Sequence, residues 1–252
     1  MRGISTVQWH DGQVTTTSLL DRVIYSYADV DRLNSLTPGT GRRWLEGYER
    51  GGVFYEPVLR ESATADNYVT WGEMVEARLL AEFRDRRVSL QRLRPAVVLL
   101  RHEFNRYPLA HARPFLDVAG RELVRNVQDE VSLARELQFV VVRSNQAMLD
   151  IRAERFTDSV TYDDGIAIAL RPSDRTPSVA IDPTRSFGQP SVRGVRTEVL
   201  AEDYRSGESL DSLADLYELP IEQVEEAIRF ELMVGLYWQI GRLILVRQES
   251  EG

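Results

Sequence analysis

The stretch Tyr25–Gly52, YSYADVDRLNSLTPGTGRRWLEGYERGG, decides how the rest of the chain is read. Ser26 is a good helix N-cap, and Asp29 three residues on completes a capping box. Val30, Leu33 and Leu36 then recur every third residue as one apolar stripe. Thr37-Pro38 predicts a helix restart, with Thr37 as the cap and Pro38 at the first helical position, where no N–H is needed. Trp44, Leu45 and Tyr48 supply a second stripe, and Gly51-Gly52 is expected to end that helix. Two short helices and a capped turn outline a helix-turn-helix, whose second helix enters the major groove of DNA. Such pairs also occur in many all-α domains that never touch DNA. What favours DNA here is the basic start of the second helix, Thr40, Arg42 and Arg43.

Working outward, Met1–Leu20 is polar and reads as an arm or a short strand pair. Val53-Phe54-Tyr55 and Asn67-Tyr68-Val69 read as the two strands of a wing. Thr70-x-x-Glu73 is a second capping box and opens a helix through Arg84, with Met74, Val75, Ala77, Leu79, Leu80 and Phe83 at helical spacing. Ser89 is expected to cap another helix, Leu90–Phe104, with Leu93, Val97, Leu100 and Phe104 on one side. The middle, Pro114–Pro190, is read as strands at Leu123-Val124, Phe139–Val142, Ser159–Tyr162, Ile166–Leu170 and Ser178–Ile181. Asp163-Asp164-Gly165 is a hairpin signal among them. Three helices follow: Thr197–Arg205, Leu210–Tyr217 behind Ser209, and Ile221–Leu232 after Leu219-Pro220. The apolar segment Leu232–Val246 is either a last core element or an exposed tail. Its Trp-Tyr pair with arginine has the composition of an interface hot spot, which nominates Leu236, Tyr237, Trp238, Arg242 and Arg247 as partner-binding residues. The expected fold class is α+β.

Charge divides the chain. The 252 residues carry a net charge of −8, and every cation among the 31 basic residues is arginine. Arg78–Arg106 holds eight arginines against three acids, whereas Glu198–Glu231 holds eleven acids against two arginines. The two ends therefore suit different partners. With no cysteine, disulfides, thiol catalysis and cysteine zinc sites are excluded. His10, His102 and His111 lack metal-ligand spacing, so no metal or cofactor is expected. Phosphate-cradling glycine loops and serine-nucleophile motifs are missing, and an enzyme is not expected. No signal peptide and no apolar run of 18 residues is found, which gives the expectation of a cytoplasmic protein without membrane contact.

The order of helix pair, wing and two further helices resembles a MerR-type winged helix-turn-helix. The matching residues are Tyr27–Leu36, Thr37-Pro38-x-Thr40, Arg42-Arg43-Trp44, Tyr68-Val69-Thr70 and Val88-Ser89-Leu90. Gly41 departs from the pattern, where a core-facing leucine is usual, and costs about 1 kcal/mol in helix propensity. Either the helix begins later, or it is loosely held until DNA orders it. The candidate DNA contacts are Thr40, Arg42, Arg43, Tyr48, Tyr55 and Arg60.

A second resemblance rests on Pro190-Ser-Val-Arg-Gly-Val-Arg-Thr197, Val199-Leu200-Ala201, Gly207-Glu208-Ser209, Leu213-Ala214 and Leu219-Pro220-x-x-Gln223-Val224. These residues look like the antitoxin domain family of unknown function number 433. The family suggests a second helix-turn-helix, but the acids of the third helix would repel a phosphate backbone. The unit therefore reads as a protein-binding or dimerisation module. The expected domains are an arm (1–24), a MerR-like unit (25–112), a β-rich connection (113–180), a trihelical antitoxin domain (181–232) and an apolar tail (233–252). Together the resemblances imply a VapB-like type II antitoxin. The implied partners are a PIN-domain, VapC-like ribonuclease toxin, promoter DNA and a second copy in a homodimer. The alternatives are a free-standing MerR-like regulator with a ligand-sensing or oligomerising C-terminal part, and an interaction protein whose winged unit no longer binds DNA.

Overall fold

The computed structural model describes residues 18–84, 93–112, 118–134, 137–139 and 151–250. It is built from helices and four two-stranded antiparallel sheets, in keeping with the α+β expectation. The central element is a helix we number α3, Trp71–Arg84. The capping box that opens it is formed: Thr70 Oγ1 accepts from the Glu73 N–H at 3.2 Å, and the Glu73 carboxylate accepts from the Thr70 N–H at 2.8 Å. Met74, Val75, Ala77, Leu79, Leu80 and Phe83 are all fully buried. So are Trp71 and Glu76, because neighbours cover α3 on several sides rather than along one stripe.

In chain order, a 3-10 turn (Leu19–Asp21) and strand β1 (Val23–Tyr25) lead into α1 (Tyr27–Leu33) and α2 (Thr40–Glu46). The hairpin β2 (Tyr48–Arg50) and β3 (Val53–Tyr55) comes next, and then β4 (Val69–Thr70), which pairs with β1. Beyond α3 lie α4 (Arg94–Phe104), α5 (Val118–Glu130) and α6 (Ile151–Ser159). The hairpin β5 (Val160–Asp163) and β6 (Ile166–Leu170) is fastened to the start of α3 by the Trp71 indole, which donates to the Ala167 carbonyl at 2.7 Å. The short pair β7 (Ser191–Val192) and β8 (Val195–Arg196) precedes α7 (Thr197–Arg205), α8 (Leu210–Tyr217) and α9 (Ile221–Ser250).

Several expectations need correction. Leu123-Val124 lies inside α5, not in a strand. Arg125, Asn126 and the acids Asp129 and Glu130 face away from buried Val124 and Val127 at helical spacing, and that period wins over the short apolar pair. Ser178–Ile181 contributes only isolated bridges, Ala180 with Ser191 and Ile181 with Leu170, so among the described residues the middle has a hairpin and no larger sheet. The wing strands are also re-paired. Val53–Tyr55 pairs with Tyr48–Arg50, while Val69 goes to β1. The third C-terminal helix does not stop at Leu232; α9 runs on as one helix of 30 residues, about 45 Å at 1.5 Å per residue. No proline interrupts it, and neither Gly235 nor Gly241 is followed by a turn signal. The helix α4 starts at Arg94 with Pro95 in its first turn. The expected Ser89 cap, the arm before residue 18 and the Val140–Val142 run lie outside the described residues. Asp164 and Gly165, at φ 45° and 75°, form the expected hairpin turn between β5 and β6.

Glu76 is the exceptional polar group in the core. Its Oε1 accepts from the Leu109 N–H at 3.1 Å, while Oε2 is buried with no partner. Burial pushes the carboxyl up to about 7, against the pull of the Arg101 charge. Because the folded value lies above the ordinary 4.5, the fold binds this proton more tightly than the unfolded chain. The contribution to stability is therefore full below about 4.5 and is lost as pH rises to about 7. Glu76→Gln is expected to raise stability at pH 8 by about 1–2 kcal/mol and to leave it unchanged near pH 4. Denaturant unfolding at the two pH values measures this, and an equal effect at both would refute the assignment.

Candidate nucleic-acid interface

The first helix forms as its sequence dictates. Ser26 and Asp29 make both bonds of the capping box of α1. The second helix starts later than expected. Thr37–Thr40 is a turn closed by a 3.1 Å bond from the Thr40 N–H to the Thr37 carbonyl, with Pro38 and then Gly39 (φ 82°) at its corners. That is proline and glycine in the two positions a type II turn wants. Thr37 is thus not the cap, and Gly39 at the N-cap has no side chain to offer.

The cap comes instead from the other helix. The buried Asp31 carboxylate on α1 accepts from the Gly39 and Gly41 N–H groups, each at 2.6 Å. It satisfies two of the orphan donors at the start of α2 and places negative charge at the positive end of the helix dipole. This geometry explains Gly41. A Cβ there would stand 2.9 Å from Val30 Cγ1 and 3.2 Å from an Asp31 carboxylate oxygen. Glycine is what lets α1 approach closely enough for the bond to form, and the helix is held in place without DNA. Gly41→Leu is expected to cost about 1–3 kcal/mol by overpacking. Thermal unfolding followed by circular dichroism would register this, and an unchanged midpoint would contradict the close approach.

At its other end α2 stops at Glu46. Gly47 (φ 75°) takes the chain into β2, and a Cβ on Gly47 would strike the Tyr55 carbonyl. The expected helix through Gly51-Gly52 is therefore corrected: these two glycines, at φ 60° and 74°, are the hairpin turn between β2 and β3.

The six candidate DNA residues separate under this geometry. Arg42 and Arg43 are exposed on α2, with Arg43 also reaching Thr40 Oγ1 at 3.3 Å. Thr40 itself is buried at 6% exposure and does not present its side chain to a ligand. Tyr48 and Tyr55 face each other across the hairpin, their rings stacked at 4.9 Å between centroids and 8° between planes. They stiffen the hairpin behind its exposed tip, which bears Arg50, Val53 and Phe54.

Arg60 is the clearest departure. Its side chain is only 10% exposed and lies between two carboxylates, with Nε 2.6 Å from Glu73 and an ion pair to Glu46. It also donates to the Tyr68 carbonyl at 2.7 Å and to Thr64 Oγ1 at 2.6 Å. All its directions are committed inside the protein, so it is a structural cation, not a DNA contact. Glu46 completes the cluster. Burial pushes its carboxyl up, but the Ala65 N–H, the Tyr27 and Thr64 hydroxyls and the Arg60 guanidinium prevail, holding it below its ordinary value. Tyr27, partly buried and donating to Glu46 at 2.8 Å, is pushed up to about 12. The cluster pins the 60–68 loop to the ends of α2 and α3 and keeps the Glu46 charge from opposing Arg42 and Arg43.

Sequence reading overlooked Asp31, Glu46 and Glu73 as the residues that position this surface. A signal existed for Asp31. It lies within the i, i+3, i+4 set of Tyr27, Val30 and Asn34, and an acid on the core side of a short helix calls for a partner.

At the other end of the chain, α7, α8 and the first turns of α9 form a trihelical unit. Its caps are as expected at Ser209, which accepts from the Ser212 N–H at 3.1 Å. Two of the four acids between Ile221 and Leu232 fasten the helix to the chain before it, and Glu225 pairs with Arg229 at 3.9 Å. Glu226 accepts from the Ser178 N–H at 2.7 Å, and Glu231 from the Thr197 hydroxyl at 2.5 Å. Leu232 and Leu236, one helical turn apart on α9, are exposed at 60% and 59%. The side chains of Tyr237, Trp238, Arg242 and Arg247 lie outside the described residues, although the helix passes through their positions. No metal-holding group of acids and histidines is found among the described residues, and no described helix is long and apolar enough to cross a membrane.

The trihelical unit and the strand before it match the family model described as "Protein of unknown function (DUF433)" over residues 179–230. Over most of its length the chain is 42% identical to "Uncharacterized protein Rv2308" of Mycobacterium tuberculosis, across 225 residues covering 86% of this chain and 93% of the relative. The chain belongs to the Rv2308 family. A more distant relative of the Rv2308-like chain is "Putative antitoxin VapB45" from the same organism, 26% identical over 82% of this chain and 93% of the relative. Among solved structures, the crystal structure of Rv2018 from M. tuberculosis superposes with a TM-score of 0.65 at 23% identity, covering 83% of this chain and 99% of that one. This last likeness shows that the chain shares the fold of Rv2018.

Proposed function

We propose that this chain is the antitoxin of a type II toxin–antitoxin module. It binds and neutralises a PIN-domain ribonuclease, occupies its own promoter as a dimeric repressor, and is a binding protein without catalysis of its own. The observation that carries the reading is the likeness to the protein described as "Putative antitoxin VapB45", which covers 82% of the chain and so reaches well beyond the C-terminal family domain. The geometry is consistent with a division of labour. Exposed Arg42 and Arg43 stand on a helix rigidly capped from α1, as a groove-reading element requires. The far end is acidic and carries the long α9 with exposed Leu232 and Leu236, which suits a protein partner. Co-expression with the adjacent open reading frame tests the proposal. The expected result is relief of growth arrest and a co-purifying complex; normal growth with the neighbour alone, or arrest that persists in the pair, would refute it.

A second reading, a free-standing regulator that senses a small molecule, is favoured by one observation. An open cavity of about 950 Å³ lies beside the 60–68 loop, lined in part by Arg60, Arg101, Arg106, Tyr107, Asp21 and Glu73. In that case promoter binding would respond to a small ligand and no toxin would be encoded nearby.

A further inference from the structure

The loop Asp182–Gln189 spends conformational energy on exposing an aromatic ring. Ser186 and Phe187 are both left-handed, at φ 48° and 56°, in a region that bulky L residues avoid. Phe187 gains no burial in return, since 83% of it is exposed, the largest such fraction among the described large hydrophobic residues. Glycine or asparagine would adopt this turn more easily.

The loop around it is held at both ends. Asp182 accepts from the Thr184 N–H at 2.7 Å and its hydroxyl at 2.6 Å, and the Gly188 N–H closes on the Arg185 carbonyl at 2.8 Å. On the far side the Tyr25 hydroxyl donates to the Gly188 carbonyl at 3.0 Å, and Arg32 on α1 donates to Gln189 at 2.8 Å. A Cβ on Gly188 would stand 2.6 Å from Ile24.

Beside this loop lies the β7–β8 turn, with Arg193 and Gly194 at φ 50° and 91°. The Ser186 hydroxyl donates to the Gly194 carbonyl at 2.8 Å and fixes one turn against the other. Exposed Arg185 and Arg193 therefore accompany the exposed ring. A pre-set aromatic accompanied by arginines has the composition of an interface anchor.

We infer that Phe187, with Arg185 and Arg193, is an anchor that docks an acidic protein surface offering an apolar pocket for the ring. Charge complementarity favours that occupant, because Arg193 is exposed and Arg185, although its Nε lies 3.5 Å from Asp182, keeps 72% of its side chain exposed. A nucleic acid is disfavoured, because the helices that follow present Glu198, Glu202, Glu208, Asp211 and Asp215 to solvent and would repel an extended phosphate backbone. The inference rests on the antitoxin reading and assigns part of the toxin-binding surface to this loop, separate from α9.

The test measures binding of the purified full-length chain to the protein encoded beside it, by calorimetry, for wild type, Phe187→Asn and Arg185→Ser/Arg193→Ser. Circular dichroism and the thermal midpoint are recorded for each. Phe187→Asn is expected to keep or raise the midpoint, because it relieves the left-handed strain, and to weaken binding about 30-fold or more, as removal of a hot-spot aromatic does. The double arginine variant is expected to weaken binding and flatten its salt dependence. Wild-type binding with unchanged affinity in both variants overturns the anchor and leaves the antitoxin reading standing. Absence of wild-type binding overturns both. Loss of promoter DNA binding, or of self-association, in the Phe187→Asn variant with toxin affinity intact would reassign the loop to that partner and overturn the inference.

Discussion

Arg60→Ala is expected to destabilise the protein by about 3 kcal/mol, the low end of the cost of removing one partner from a buried ion pair. For a chain of this size that lowers the thermal midpoint by roughly 6–12 °C. The low end applies because the cluster borders the open cavity, so water can reach the carboxylates left behind. The reason for a large effect is that Arg60 neutralises two acids at once, Glu46 and Glu73. Without it both remain against the same loop, and Glu73 is also the reciprocal cap of α3. Glu46→Gln in the Arg60→Ala background should recover part of the loss, since the amide still accepts from Thr64 and Ala65 but carries no charge. A double-mutant cycle measured by denaturant unfolding gives the coupling. Additive effects would mean that the pair is not formed in solution.

The second large effect is on DNA. Arg42→Ala combined with Arg43→Ala is expected to weaken promoter binding at least about 30-fold, with each base contact worth roughly 1–3 kcal/mol. Stability should be unchanged to within about 0.5 kcal/mol, because both side chains are exposed. Fluorescence anisotropy across a range of salt concentrations separates two roles. Contacts to bases relax sequence preference, whereas contacts to phosphates lower the salt slope. If Arg60→Ala weakens DNA binding, it should do so in proportion to the unfolded fraction at that temperature, since Arg60 faces its acids and not the surface. Undiminished affinity in the double variant would remove α2 as the reading helix.

What the sequence made legible was local. Ser26 with Asp29, Thr70 with Glu73 and Ser209 before α8 are caps whose bonds span three residues, and each is present as read. Asp164-Gly165 likewise carries its turn in its own backbone preference. The misreadings arose where a distant residue decided. The cap of α2 is supplied from α1 by Asp31, so Thr37-Pro38, which looks like a helix start, is free to be a turn. Gly51-Gly52 looks like the helix stop, but α2 ends at Gly47, against which the backbone of Tyr55 packs. Arg60 reads as a surface cation until its two acids, 14 residues before and 13 after it, are seen to converge. Phe187 gave no signal, because its exposure depends on left-handed backbone that only the folded loop reveals.

The antitoxin proposal meets its most direct test in the activity of the partner. The protein encoded next to this chain, purified with a divalent cation and a structured RNA substrate, is assayed for cleavage while the full-length chain is titrated in. The account predicts cleavage that falls to background near an equivalent amount of the chain and returns when the complex is dissociated. Cleavage that continues undiminished under a large excess of folded chain would contradict it.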